Sequence, residues 1–150
     1  MVRRNRDGSP RPHQGWYLHA LPGTPIYAVS YGKVEFVRNW QDYGLQICIS
    51  FEHKGTKYFA FYAHLKSVNV KTGDAVTVGE HIGHSGASGN AGRMLSKEQH
   101  LHFEIRIVAN PGKGLVGRIS PIRIYNVCSL KSPILQQSQL PQNIFNSITI

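Results

Sequence analysis

The sequence predicts a mostly β, single-domain protein built on an antiparallel β-sheet with little helix. Short runs of β-branched and aromatic residues recur between glycine-containing turns, which is typical of strands. The clearest run, residues 99–107, alternates polar and apolar side chains with a period of two. No window of about eleven residues or more carries a comparable helical stripe, so an antiparallel sheet is the simplest architecture. The 150 residues, 41% of them hydrophobic, suit one globular core.

The first half of the chain supplies two predicted strand pairs. Residues 24–37 mix β-branched and aromatic residues around a turn at 30–32, which predicts a strand-turn-strand unit. Residues 45–51 and 57–64 predict a second pair. The Lys54-Gly55 step between them suits a hairpin with a glycine at positive φ.

The remaining segments define the predicted domain limits. Residues 68–83 form short pieces between glycine turns and predict narrow β-ribbons, and 85–92 carries so little side chain that we expect a surface loop. The arginine- and proline-rich residues 1–12 predict a flexible basic lead-in. Residues 13–128 then form the domain, and the Gln-, Ser- and Asn-rich residues 129–150 predict a loosely docked or disordered tail.

The charge balance favours an anionic partner. Lys and Arg number 17 against 8 Asp and Glu, which gives a formal charge of +9. Nucleic acid, an acidic membrane face and an anionic cell-wall polymer all satisfy this charge. No apolar run approaches the roughly 20 residues of a membrane span. The two cysteines, Cys48 and Cys128, are far apart, and the apolar alternation around Cys48 favours a buried free thiol over a disulfide.

Histidines are the candidate functional residues. His100 and His102 share one face of the predicted strand, so both can bind a metal, or one can bind it while the other transfers a proton. A solvated pair on an edge strand is the alternative. His64 stands where its strand is expected to enter a turn, and His13 shares a polar face with Tyr17 if that segment is extended.

Several motifs in the same order carry a family resemblance. From His13 to Ile107 the chain resembles the LytM/lysostaphin-type zinc endopeptidases, the M23 peptidase family. The motifs are His13-Gln14-Gly15, Pro22-Gly23-Thr24-Pro25-Ile26-Tyr27-Ala28, Gly32-Lys33-Val34, Tyr62-Ala63-His64-Leu65, Gly73-Asp74-Ala75-Val76, Ile82-Gly83-His84-Ser85-Gly86 and His100-Leu101-His102-Phe103-Glu104.

The resemblance implies a sheet crossed by a substrate groove, and a zinc ion (Zn²⁺) held by two histidines and an aspartate. It assigns His13 and His102 as the histidine ligands. It assigns His100 as general base or acid and His64 as the second catalytic histidine. The aspartate position holds Tyr17, a ligand whose phenol would have to lose its proton to the metal.

Tyr17 leaves three readings open. The substitution weakens zinc binding and turnover, or His19 or the phenolate itself completes the site, or the domain binds without cutting. The implied function is that of a zinc metalloendopeptidase cleaving peptide cross-links or bridges of bacterial peptidoglycan. The alternative is an inactive domain that binds a wall peptide or a partner protein.

The implied partners are peptidoglycan peptides, with anionic wall polymers as further candidates. Nucleic acid is not expected, because the aromatic residues fall in strand patterns that a core explains and the positive charges form no stripe outside the lead-in. The implied place of action is the periplasm or cell wall. Because no signal peptide is visible, we expect delivery by another route or excision from a larger protein. Nothing in the sequence indicates an oligomeric state.

Overall fold

The computed structural model describes residues 7, 16–93, 99–112 and 114–124, which build a nine-stranded, antiparallel sheet. Short 3₁₀ segments are the helical structure of this part of the chain. The strands are β1 (Trp16–His19), β2 (Pro25–Tyr27), β3 (Gly32–Asn39), β4 (Leu45–His53), β5 (Thr56–Val68), β6 (Ala75–Val76), β7 (His81–Ser85), β8 (His100–Arg106) and β9 (Arg118–Ile119). The 3₁₀ segments are Gln41–Tyr43, Gly89–Arg93 and Pro121–Arg123. The predicted fold class is therefore confirmed.

The long strands lie at the centre of the sheet. Its main order is β1-β8-β5-β4-β3-β6, with β7 pairing β2 and β5 and with β9 pairing β8. Strand β8 pairs with β1 over residues 100–103 and with β5 over residues 102–106, so His102 and Phe103 lie between the two. This position matters because β8 carries two of the predicted site histidines.

The predicted hairpin between β4 and β5 is confirmed. Lys54 and Gly55 both have positive φ, 49° and 77°, as a tight two-residue turn requires. The predicted strand-turn-strand unit over 24–37 is wrong in its pairing. Strand β2 pairs with β7, whereas β3 pairs with β4 and β6, because the intervening turn directs the two strands to different neighbours.

One apolar core lies under the sheet and is built from the alternate residues of β4, β5 and β8. Ile47, Ile49, Ala60, Leu65 and Ile105 are among its members with almost no exposed surface. Burying side chains of this size, at about 1.5–3 kcal/mol each for the larger ones, is the main stabilising contribution. A smaller cluster on the opposite face comprises Cys48, Phe61 and Ala63. Cys48 is a buried free thiol, as expected, and Cys128 lies outside the described residues.

The predicted surface loop over 85–92 is confirmed only in part, since Gly89 and Gly92 are exposed but other residues of the segment are buried. Ser85 ends strand β7 with no exposed surface, and Ala91 is buried within the 3₁₀ segment Gly89–Arg93. The backbone at Gly89 approaches Gly44 so closely that a Cβ on either residue would overlap the other segment. The small side chains therefore let two backbone segments meet, rather than leave the loop open to solvent.

The predicted lead-in and tail, residues 1–12 and 129–150, lie almost wholly outside the described residues, so those boundaries stay predictions. Within the described ranges, no helix is long and apolar enough to cross a membrane.

Candidate metal centre

Three of the four predicted site histidines come together in the structure. His64 from β5 and His100 and His102 from β8 place their ring nitrogens within 4.8 Å of one another. The three residues are only 3%, 6% and 5% exposed, so the cluster lies inside the protein surface rather than on it. The fourth, His13, lies outside the described residues.

Strand alternation brings the two β8 histidines to one face, as predicted. That face is not a solvated polar surface, however, because all seven residues of β8 are buried. Strands β1 and β5 flank β8, and His102 lies directly opposite Ala63 of β5. The solvated edge-strand alternative for this histidine pair is thereby excluded.

A bulge in β5 brings His64 to the cluster. The β4–β5 register runs from Ile47↔Tyr62 to Leu45↔Leu65, so two residues of β5 lie opposite the single residue Gln46. His64 occupies the left-handed region at φ 61°, which is costly for a side chain with a Cβ. The prediction that the strand ends here is wrong, since β5 continues to Val68. A strained residue held at a buried cluster is a mark of a functional position.

The hydrogen bond of His64 fixes its tautomer. Its Nδ1 lies 2.8 Å from the backbone carbonyl oxygen of Ser88, which can only accept. In the neutral ring, Nδ1 therefore carries the proton and Nε2 carries a lone pair. His64 can then bind a metal or accept a proton through Nε2.

Glu104 sets the tautomer of His102 in the same way. The His102 Nε2 donates to Glu104 Oε1 at 2.7 Å, and this carboxylate is fully buried. A neutral His102 then has its lone pair on Nδ1. A carboxylate that receives the outer N–H of a histidine is the usual partner that orients a metal-binding imidazole.

Four donors surround the Glu104 carboxylate. Oε1 also accepts from the Tyr43 hydroxyl at 2.9 Å, while Oε2 accepts from Arg106 Nε at 2.6 Å and Arg118 Nε at 2.8 Å. Burial alone would raise the pKa of Glu104. The hydrogen bond and charge of His102, together with Arg106, outweigh burial and lower the pKa to about 2. Glu104 is therefore an ionised, fully hydrogen-bonded anchor.

Tyr43 closes one side of the cluster. Its ring centroid lies 5.3 Å from that of His102 and 6.5 Å from that of His64. Burial and the neighbouring Glu104 carboxylate raise the pKa of the Tyr43 phenol, so it stays a hydrogen-bond donor at neutral pH. The aromatic wall restricts water around the histidines on this side.

The main chain of Tyr17 lies beside the cluster. In the β1–β8 register Tyr17 is directly opposite His102, and His19 is directly opposite His100. Directly opposed residues of an antiparallel pair have Cα atoms about 4.5–5.5 Å apart. The residue in the predicted ligand position is therefore on the strand adjacent to His102.

The donor set suits a zinc ion. Neutral imidazole nitrogen is a preferred zinc ligand, and a catalytic zinc takes three protein ligands and keeps one position open. The cluster supplies three imidazoles, each able to bind zinc or to transfer a proton, and Glu104 accepts the outer hydrogen bond of His102. These residues fit the metal that the sequence predicts.

Two further histidines lie together elsewhere on β7. His81 and His84 contact each other at 4.7 Å between ring centroids and hydrogen-bond to Asn69 and Ser67. The Nδ1 atom of each of these histidines is therefore hydrogen-bonded to a neighbouring polar side chain.

The sequence did not reveal the residues that support the histidines. Tyr43 is 61 positions from Glu104 in the chain, and Arg118 is 14 positions from it. No local sequence pattern indicates that these residues contact Glu104. Glu104 itself was recognisable, because it continues the alternation of His100 and His102 in β8. Ser88, which orients His64, lies in the segment predicted as a surface loop, to which the sequence assigned no supporting role.

Comparisons with known proteins agree with this geometry. Residues 11–113 match the model of Peptidase family M23. The chain is 34% identical over 108 residues to the peptidoglycan DD-endopeptidase ShyA of Vibrio cholerae, a match covering 72% of the chain and 23% of ShyA. It is 38% identical over 92 residues to lysostaphin of Staphylococcus simulans, covering 61% of the chain and 17% of lysostaphin. The chain thus spans about a quarter or less of these relatives.

Solved structures share the fold. The structure of LytU matches with a TM-score of 0.65 and 30% identity, covering 83% of this chain and 80% of LytU. The crystal structure of a zinc-containing peptidase from Vibrio cholerae matches with a TM-score of 0.57 and 34% identity, covering 69% of this chain and 30% of that one.

Proposed function

Because the chain belongs to the M23 peptidase family, we propose that it is a zinc metalloendopeptidase that cleaves peptide cross-links or bridges of bacterial peptidoglycan. One observation carries the proposal: His64, His100 and His102 converge, buried, on one site. Zinc in such a site would polarise a substrate carbonyl and lower the pKa of a water molecule.

The proposed roles divide the histidines into ligands and proton carriers. His102 would hold zinc through Nδ1, since Glu104 holds its Nε2 proton, and His13 would be the second histidine ligand. His100 is the general base that takes a proton from the attacking water. That same proton would pass through His64 Nε2 to the leaving amine, because the Nδ1 proton of His64 is held by the Ser88 carbonyl.

The substrate class is inferred from the relatives and from charge. ShyA is named a peptidoglycan DD-endopeptidase and lysostaphin an antimicrobial peptidase, and the formal charge of +9 favours an anionic wall. Peptidoglycan lies outside the cytoplasm, so we place the action of the domain, proposed as residues 13–128, in the periplasm or cell wall.

The second candidate is a domain that binds a wall peptide or partner protein without cutting it. Tyr17 favours this reading, because it stands at the ligand position opposite His102, where a phenol must lose a proton with a reference pKa near 10. A site with one ligand fewer holds zinc more weakly and still keeps its groove.

Tyr17→Asp separates the two candidates. Zinc content after dialysis and digestion of purified muropeptides are measured for the wild type, Tyr17→Asp and His102→Ala. The proposal predicts zinc-dependent cleavage by the wild type, no cleavage by His102→Ala, and at least equal zinc retention and cleavage by Tyr17→Asp.

Two outcomes of this experiment would count against the endopeptidase proposal. Cleavage by Tyr17→Asp alone, with muropeptide binding by both proteins, would establish the binding domain as the natural function. Cleavage by neither protein when each holds zinc would contradict the endopeptidase proposal.

A further inference from the structure

A cavity of about 300 Å³ adjoins the histidine cluster and is lined with arginines. Arg38, Arg106 and Arg118 contribute the charge, and Trp40 and Tyr43 contribute the aromatic walls. Tyr43 belongs to both places, because its ring also contacts His102 and its hydroxyl donates to Glu104. The cavity and the histidine cluster therefore share the Tyr43 side chain.

Positive charge is in excess around this cavity. Among its described lining residues no side chain is acidic, and the nearest buried carboxylate is Glu104, bonded to Arg106 and Arg118. Two of the three guanidinium groups therefore share one carboxylate, and no ion pair to Arg38 is found among the described residues. Burial and the positive charge of Arg106 lower the pKa of Arg38, a further sign of uncompensated cations.

Two of the arginines are already engaged. Besides Glu104, Arg106 donates to the Ala109 carbonyl, and Arg118 donates to the carbonyls of Gly112 and Gly114. Their role is to hold Glu104 and the 109–118 segment.

Arg38 differs from them. Its guanidinium is fixed through Nε, while its two Nη groups can donate to a bound ligand. Its Nε donates to Gln46 Oε1 at 3.0 Å, and its guanidinium lies over the rings of Phe36 at 4.0 Å and Trp40 at 4.9 Å. Gln46 is itself only 1% exposed and donates to two backbone carbonyls, so it is a fixed support. Within the described residues, the Nη groups of Arg38 have no protein acceptor.

We propose that this cavity is a substrate subsite in which Arg38 binds a carboxylate of the wall peptide next to the scissile bond. The inference rests on the proposed function for its substrate. A planar carboxylate matches the two parallel N–H groups of a guanidinium, and Trp40 offers an aromatic face beside it. The peptide is favoured over a wall phosphate polymer because the subsite shares Tyr43 with the histidine site.

Binding is tested with a synthetic stem pentapeptide and its fully amidated form, by calorimetry in about 0.15 M salt, where long-range attraction is largely screened. The wild type should bind the carboxylate peptide about tenfold or more tightly than the amide. Arg38→Gln should abolish this preference, and Arg38→Lys should retain only part of it because the fork geometry is lost. Lys33→Gln, an equal charge change on an exposed side chain outside the cavity, should keep the preference.

The possible outcomes test the proposed Arg38 subsite independently of the proposed endopeptidase activity. Equal binding of both peptides by the wild type, or an unchanged preference in folded Arg38→Gln or Arg38→Lys, would overturn the subsite. Arg38-dependent binding of glycerol phosphate without a carboxylate preference would overturn it in favour of a phosphate site. A carboxylate preference without hydrolysis would support the subsite and count against the proposed enzyme.

Discussion

Replacing Glu104 with Gln should lower both stability and zinc affinity. The carboxylate is fully buried and accepts from four donors, His102, Tyr43, Arg106 and Arg118. Gln keeps the volume and one carbonyl oxygen, but it removes the charge and adds an N–H₂ group. The variant therefore changes electrostatics and hydrogen bonding with little change in packing.

The expected loss of stability follows from the two buried arginines that Glu104→Gln would leave without a counter-charge. Arg106 and Arg118, with side chains 3% and 5% exposed, would lose their buried counter-charge. Removing one partner of a buried ion pair costs about 3–5 kcal/mol of unfolding free energy. The Gln oxygen should face the arginines, which leaves its N–H₂ group towards His102. His102 Nε2 must then accept, so its proton moves to Nδ1 and blocks the metal, and we expect about a 10- to 100-fold loss of zinc affinity.

Two measurements separate these effects. Urea unfolding with a chelator gives the stability of the metal-free chain, and competition with a zinc-binding dye gives the affinity. The matched control is Glu52→Gln, an exposed residue of β4 that should change stability by less than about 0.5 kcal/mol. A Glu104→Gln protein as stable as this control would refute the buried-anchor argument. Lower stability with unchanged zinc affinity would refute the tautomer argument alone.

Two further predictions concern backbone strain and thiol reactivity. His64→Gly should be about 1 kcal/mol more stable than His64→Ala in metal-free urea unfolding, because only glycine adopts φ 61° without a Cβ penalty; equal stabilities would contradict the strain. Burial raises the pKa of Cys48 to about 12 from an ordinary 9.0, so the folded protein at pH 8 holds roughly a thousandth of the thiolate of an unfolded chain. In a Cys128→Ser background, alkylation of Cys48 should be slow until denaturant is added, and rapid labelling of the folded protein would oppose the assigned burial.

The fold was predictable where local pattern and pairing agree. The β4–β5 hairpin follows from two strand-like runs around Lys54-Gly55, since the turn chemistry itself dictates the partner. The pairing of β2 with β7 could not be predicted, because their residues are more than 50 positions apart and no turn connects them. Local sequence signals a strand but not a distant neighbour.

The site was predictable to a similar degree. Alternation places His100 and His102 on one face, and the family motifs add His64. The left-handed bulge at His64 was missed, since nothing in the sequence separates a strand end from a bulge when no glycine marks it. The burial of β8 was missed for a related reason, because His, Glu and Arg at alternate positions normally indicate a solvated face.

The buried polar face of β8 explains how one substitution can alter the chemistry without altering the fold. His102, Glu104 and Arg106 are held from the opposite side by Tyr43 and Arg118, none of which is on β1. The main chain of Tyr17 lies opposite His102 on β1, the terminal strand in the sheet order. Under the proposed assignment, a changed side chain at Tyr17 changes the ligand set and leaves the hydrogen bond between His102 and Glu104 intact. Loss of turnover by this route would leave a folded domain with the arginine cavity beside Tyr43 still able to bind peptide.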